Sequence, residues 1–436
     1  MKKKIIGTVI GLFIIIAVSV IYYFSIGKNN LIEQLKEKTQ HEITLLQNNG
    51  FTITQNPIDT QNDHFEISIK DTKTATKYLQ SQGIELNEQN IKAIEGMVWG
   101  TDIAYLPDTQ SALSADLYPL QIPLSDIEQW DTATQNTIQT ILKNKTLLAH
   151  IEINLFFDHF SGSLKDINQT HTVNNKTNRF VMNGFVFEGE LEQKKVTQSR
   201  QKIDTIMLQN SDGTVATLSQ FKGSSTANPF ELSHFMIKQI EISHPEGVMY
   251  DAYEISSEGE TKEENGLLHL YERFEIQKLT FEKEYTLNTL KLETEIQNLD
   301  TVAVATLQKQ TIDDIELSQA INTILSKGVV LKLSQLSIES ITAPKGTIPG
   351  LMLNGYFKPN PTFDFFTPQN DPQALLYAID GNATLQLSSE LLGVLGQDPR
   401  LMMGLMLFPP QDYQGKKQYQ ITIQNGKVKL NNQPLL

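Results

Sequence analysis

The chain has 436 residues, 50 acidic against 36 basic side chains, a formal charge of −14 and no cysteine. The missing thiols exclude a disulfide framework, thiolate catalysis and a lipid-modified cysteine. The acidity argues against nucleic acid, which needs basic surface to displace counterions, and against lying flat on anionic headgroups. The length is enough for two or more packed domains.

No charge occurs between Lys4 and Lys28, and almost everything from Ile5 to Ile26 is apolar. As a helix, residues 5–27 are long enough to cross a hydrocarbon core of about 30 Å. Leu12, Phe13, Ile14, Ile15 and Ile16 carry the hydrophobicity of this expected anchor, and Tyr22-Tyr23 stand where an interfacial aromatic belt would be. The preceding lysines place residues 1–4 in the cytoplasm and all that follows the span outside it. Ser25 and Gly27 have the offset of a signal-cleavage site, but the apolar run exceeds the usual core of about 7–15 residues, so a retained anchor is expected. Within it, Gly7 and Gly11 form a G-x-x-x-G pattern through which two helices can associate.

Residues 30–46 read as a helix with Leu31, Leu35, Ile43 and Leu46 near one side. Alternation at Phe51–Thr54 and Phe65–Ile69 predicts half-buried strands. Helices are expected over 72–82 and 87–97 and from a cap at Ser125 to about residue 145, which makes residues 28–145 the helix-richer part. Residues 146–370 read as a β-rich middle, with strands at 148–155, 236–242, 268–281, 285–296, 329–341 and 352–357. A helix over 311–327 interrupts it, with Thr311-Ile-Asp-Asp as its cap. Asn183-Gly184 reads as turn chemistry, and the acidic stretch from Glu254 to Glu264 as a solvated loop rather than a calcium site. Residues 371–436 hold an apolar helix pair, broken at Gln397–Arg400, and a closing hairpin. In that hairpin a type I′ turn at Asn425-Gly426 is expected to pair Ile423 with Val428 and Ile421 with Leu430. The fold class is thus α+β: one N-terminal transmembrane helix, then an antiparallel strand-rich ectodomain with helices packed on the sheets.

Signatures of known chemistry are sparse. Ser219-Gln-Phe-Lys222 is a Ser-x-x-Lys without the companion elements of penicillin-recognising enzymes. Asp158-His159, near His150 and His171 in sequence, is the densest histidine neighbourhood, yet adjacent strand residues point apart and make poor co-ligands. No metal or cofactor is expected. The methionine-rich run Leu401, Met402, Met403, Leu405, Met406 and Phe408 suits the lining of an apolar ligand site, because methionine packs adaptably. Buried core helices carry the same pattern.

The ending Tyr419 to Leu436, the segment Leu290–Asp300 followed by Ala303–Leu307, and Ile312–Lys327 leading into Val329–Ile341 resemble the YdgA-like family. Its members are bacterial inner-membrane proteins of unknown function. The resemblance implies a periplasmic body tethered at the inner membrane, and it brings no catalytic residues. The ending is also similar to that of envelope proteins with lipid-handling β-rich grooves. The expected function is non-catalytic binding of an envelope protein or a lipid-like ligand. The alternative is an envelope hydrolase using Asp158, His159 or Ser219.

Overall fold

The computed structural model describes residues 31–81, 96–106, 111–122, 148–154, 158–173, 176–192, 195–227, 231–282, 284–307, 313–361 and 376–435, with a few residues between these stretches. The expected anchor (Leu12 to Ile16, Gly7, Gly11) lies outside them, as do most of the helix from Ser125, whose described residues 135, 139, 140, 142 and 143 are helical, and nearly all of that over 87–97. Among the described residues no helix is long and apolar enough to cross a membrane. The chain divides into two compact units, residues 1–224 and 225–436, at a boundary inside the stretch read from sequence as one β-rich middle.

The first unit opens with α1 (Leu31–Asn48), β1 (Phe51–Pro57), β2 (Asn62–Ile69) and α2 (Thr72–Ser81). Asp71 caps α2, its Oδ1 accepting from the Lys73 and Thr74 amides at 3.1 Å. β3 (Val98–Tyr105), β4 (Ser111–Gln121) and β5 (Ala149–Asn154) continue an antiparallel meander in which each strand pairs with the one before. One face of these strands is apolar. Ile53, Phe65, Trp99, Ile103, Leu113, Leu117, Ile151 and Ile153 are buried there in one cluster with Ile43 of α1 and Leu79 of α2. This is an ordinary dry core, covered by helices.

Beyond β5 come β6 (His159–Leu164), β7 (Ile167–Val173), β8 (Lys176–Asn183), β9 (Val186–Glu192), β10 (Lys195–Gln209) and β11 (Val215–Thr226). Asn183-Gly184 does not make the expected turn between paired strands. β8 and β9 lie in one line along β10, with Asn183 opposite Thr205 and Val186 opposite Lys202. β6 and β7 run in the same way along β9 and β8. The long β10 spans the break and imposes the line. The Gly184 amide, freed from the ladder, donates to Asp166 Oδ1 at 2.9 Å.

The second unit is built on long strands: β12 (Glu231–His244), β13 (Gly247–Glu264), β14 (Leu267–Phe281) and β15 (Tyr285–Asp300). α3 (Thr301–Leu307) and α4 (Asp314–Ser326) intervene, and β16 (Val330–Ala343), β17 (Gly346–Pro359) and β18 (Ile379–Leu387) resume the meander. Asp313, two residues past the expected Thr311, caps α4 by accepting from the Glu316 amide at 2.7 Å. The acidic stretch 254–264 is strand, not loop, because it lies between two long partners that fix its backbone. α5 (Ser389–Leu395) and α6 (Pro399–Leu407) follow, then β19 (Gln411–Tyr413), β20 (Lys416–Gln424), β21 (Lys427–Leu430) and β22 (Gln433–Pro434).

β20 and β21 pair Ile423 with Val428 and Ile421 with Leu430, around Asn425 and Gly426 at φ 49° and 72°. Both angles lie in the left-handed region that a type I′ turn requires. Asn431 ties this ending down. Its Oδ1 accepts from the Gln420 amide at 2.9 Å, and its Nδ2 donates to the Pro409 carbonyl at 2.9 Å.

Candidate functional site: an apolar sheet face folded at a crease

The cross-strand partners of the second unit fall into rows of one character. Ile237, Ile255, Ile276, Leu290, Ile338, Leu351 and Leu387 stand opposite one another in sequence across β12–β18. A second row holds Ile240, Ala252, Leu279, Leu287, Ile341 and Ile348. The spacing between the two rows is the informative point. They are three residues apart in every strand, which in regular pleat would put them on opposite faces.

Between them lies a crease. The residues Lys238, Glu254, Gln277, Thr289, Glu339 and Gly350 are absent from every ladder that flanks them. Glu254 and Thr289 take φ of 50° and 48° within their strands. The crease reverses the side to which the pleat points, so both apolar rows share one face.

On each side of the crease the polar groups occupy the positions that alternate with the apolar row. On one side of the crease Gln239 Nε2 donates to Asp251 Oδ1 at 3.0 Å and to Tyr253 Oη at 2.8 Å, and Asn288 donates to Ser340 Oγ at 3.1 Å. On the other side Glu275 meets Arg273 and Lys291, each at 3.3 Å, and Arg273 also meets Glu293 at 3.4 Å. Nearby, hydrogen bonds from Lys332 and Ser334 hold the Glu295 carboxyl below its usual range. One face therefore carries charge and amides. The other carries isoleucine, leucine and phenylalanine.

Towards one end of the apolar face a trough opens. Thr294, Ile296, Leu331, Leu333, Leu353, Gly355, Phe357 and Ala383 are among the residues lining a depression of about 460 Å³. A second depression of about 220 Å³, lined by residues including Ser233, Gly259 and Leu270, shares Thr294 and Ile296 with it. The two depressions adjoin at these residues; the smaller also carries Glu231, Glu260 and Glu272, while the larger is mostly apolar and of the size of a small-ligand site.

The methionine-rich residues proposed from sequence are not in that trough. Leu401, Met402, Met403, Met406 and Leu407 of α6 are exposed, while Leu405 packs back toward α5 at Gly396 and Phe408 is half-buried. The residues named for hydrolysis also stay apart. Asp158 binds Asn154 Nδ2 at 2.7 Å beside the β5–β6 turn, and Ser219 stands on β11. Ser219 and Lys222 lie along a strand, interrupted at Gln220 by a φ of 54°, rather than on the helical turn that brings such a pair together. Among the described residues no hydrogen bond or ion pair joins Ser219 to Lys222, Asp158 or His159, and no group of three or more histidines and carboxylates is placed to hold a metal ion.

The sequence reading missed one polar constellation. His64, Asp102, Asp116 and His150 stand opposite one another in a row across β2–β5. His64 Nδ1 lies 2.6 Å from Asp102 Oδ1, and His150 Nδ1 lies 2.7 Å from Asp116 Oδ1. Burial pushes Asp102 up, but hydrogen bonds from His64 and Tyr118 and the Lys145 charge outweigh it and leave the carboxyl low. Burial likewise pushes His150 down, and its bonds to Asp116 and Glu152 more than reverse that. Each histidine is 34 or more residues from its carboxylate in sequence, so only the strand register reveals the pairs.

A pH dependence follows with a definite sign. His150, raised in the folded state, contributes stability that is complete below about pH 6.5 and is lost as pH rises through its folded value. His150→Gln is expected to reduce the stability difference of the protein between pH 6 and pH 8 by less than about 1 kcal/mol, since the pair is solvent-screened. Urea unfolding at the two pH values measures it, and an unchanged difference would refute the coupling.

No family profile, curated protein or solved structure matches the chain.

Proposed function

We propose that the protein is a non-catalytic component of the bacterial envelope. Residues 5–27 hold it in the inner membrane, and its periplasmic body carries an apolar, lipid-like ligand in the trough of the second unit. The observation that carries this reading is the crease. A sheet that reverses its pleat in six consecutive strands keeps its apolar rows on one face, yet most of that face stays only half-buried. In the first unit the equivalent face is sealed by α1 and α2, with residues such as Leu113 and Ile151 fully buried. A half-covered apolar face of this extent fits an occupant that comes and goes.

The resemblance to the YdgA-like family supports the same address. Its C-terminal signature serves as the hairpin and Asn431 clamp just described, which is a structural role. A lipid-like ligand is favoured over a protein partner because the exposed lining of the trough is mostly apolar, with little polar surface to orient a polypeptide.

Titration of the delipidated full-length protein with a fluorescent polyene fatty acid tests the reading. Saturable binding is expected, and Ala383→Phe, which fills the trough, is expected to weaken it by about tenfold, roughly 1.4 kcal/mol. Absence of saturable binding, or equal affinity in the variant, would overturn it.

A further inference from the structure

α6 is the most exposed apolar element among the described residues. Met403, Met406 and Leu407 are 64%, 76% and 65% exposed. From Leu401 to Pro410 the sequence contains no charged or hydrogen-bonding side chain.

The distribution around the helix identifies what covers it. At about 100° per residue, the exposed positions Met402, Met406, Met403, Leu407, Gly404 and Leu401 sweep roughly 260° of circumference, and Leu405 stands alone in the gap. A groove on a protein, or a second copy of this helix, covers a stripe of little more than about 100°. A hydrocarbon phase wets the whole arc. The remaining side is held by the protein, because Leu405 reaches back to Gly396 and α5 rests against β17 and β20 with Leu391 buried.

The chain immediately after α6 suits a headgroup layer. Tyr413 is exposed, and Lys416 stands opposite it in the β19–β20 pair. A bilayer is also the apolar phase the chain already carries with it, in the uncharged residues 5–27.

We propose that α6 is a second, monotopic membrane contact: its Leu401–Leu407 surface enters the interfacial layer of the bilayer and holds the second unit against it. This rests on the reading that the body is tethered at a membrane. The contact is hydrophobic rather than electrostatic, so it forms on zwitterionic lipid.

The absence of native cysteine makes single-site labelling direct. Full-length Met406→Cys and, separately, Met403→Cys would carry an environment-sensitive fluorophore in phosphatidylcholine proteoliposomes. Ile15→Cys, read with a nitroxide at the chain end of the lipid because it lies near the middle of the span, reports on the anchor, and Ser224→Cys serves as the exposed control. An inserted interfacial helix sits about 5–10 Å below the headgroups, so a shallow nitroxide lipid is expected to remove roughly half of the emission at 406 and 403 and none at 224. Quenching at 15 without quenching at 403 or 406 overturns the proposal and leaves the tether standing. Quenching at 403 and 406 without quenching at 15 supports the contact and rejects the anchor. A blue-shifted but unquenched label at 406 means that protein covers the helix, and this also overturns the proposal.

Discussion

Replacing Lys36 with methionine is expected to destabilise the first unit by about 3 kcal/mol. Its partner, Asp63, is 1% exposed, and among the described residues neither carboxylate oxygen has a hydrogen-bond partner. The Lys36 ammonium lies 3.5 Å from Asp63 Oδ2 and over the Tyr105 ring, and the Tyr105 hydroxyl donates to Thr39 at 3.1 Å. Burial first, and then the Asp63 charge beside it, push the Tyr105 phenol well above its ordinary value. Asp63 is therefore a buried acid between α1 and the sheet, with the Lys36 cation set against it. Removing that cation leaves a buried, uncompensated charge, which costs far more than the pair itself contributes.

The double variant separates this from lost packing. Lys36→Met combined with Asp63→Asn is expected to recover most of the loss, because the buried group no longer carries charge. Equilibrium urea unfolding measures both. If the single variant unfolds at the wild-type midpoint, the node does not hold α1 in place.

The strands of the two units were unequally legible in the sequence. Strict alternation at Phe65–Ile69 and Ile151–Leu155 identified first-unit strands, because one face there is dry and the other wet. The Asn425-Gly426 hairpin was legible to the exact register, since the turn type and the apolar pairs point to one answer.

The crease was present but written as an interruption. Ile237-Lys-Gln-Ile240, Ile276-Gln-Lys-Leu279, Leu287-Asn-Thr-Leu290 and Ile338-Glu-Ser-Ile341 each break alternation with two polar residues between apolar ones. One such break reads as noise. Its recurrence at matched distances from the turns is a signal only once the strands are aligned. The His64–Asp102 and His150–Asp116 pairs were hidden for a related reason: their partners are set by pairing between strands, and nothing local marks them. Asn183-Gly184 failed in the opposite sense, as strong turn chemistry overridden by one long neighbouring strand, β10.

The crease itself is exposed to test at Gly350. A Cβ built there falls 2.0 Å from the Ile338 carbonyl oxygen, a backbone atom that cannot swing aside. Gly350→Ala therefore has to push β16 and β17 apart where the sheet reverses, and is expected to cost about 2–3 kcal/mol. Thr289, two strands away in the same row, already accepts a left-handed φ of 48°. Thr289→Gly relieves that strain while giving up chain entropy and the hydroxyl's 2.8 Å bond to Glu339, and is expected to stay within about 1 kcal/mol of wild type. An ordinary strand position behaves in the reverse order, tolerating alanine and losing stability to glycine.

The functional consequence follows from geometry. If the crease keeps Ile240 and Ile237 on one face, a variant that opens it turns part of the apolar face outward, and fatty-acid binding falls together with stability. Gly350→Ala that remains as stable as wild type would remove the close approach on which this account of the crease depends. Gly350→Ala that is destabilised but still binds with full affinity would separate the crease from the ligand trough.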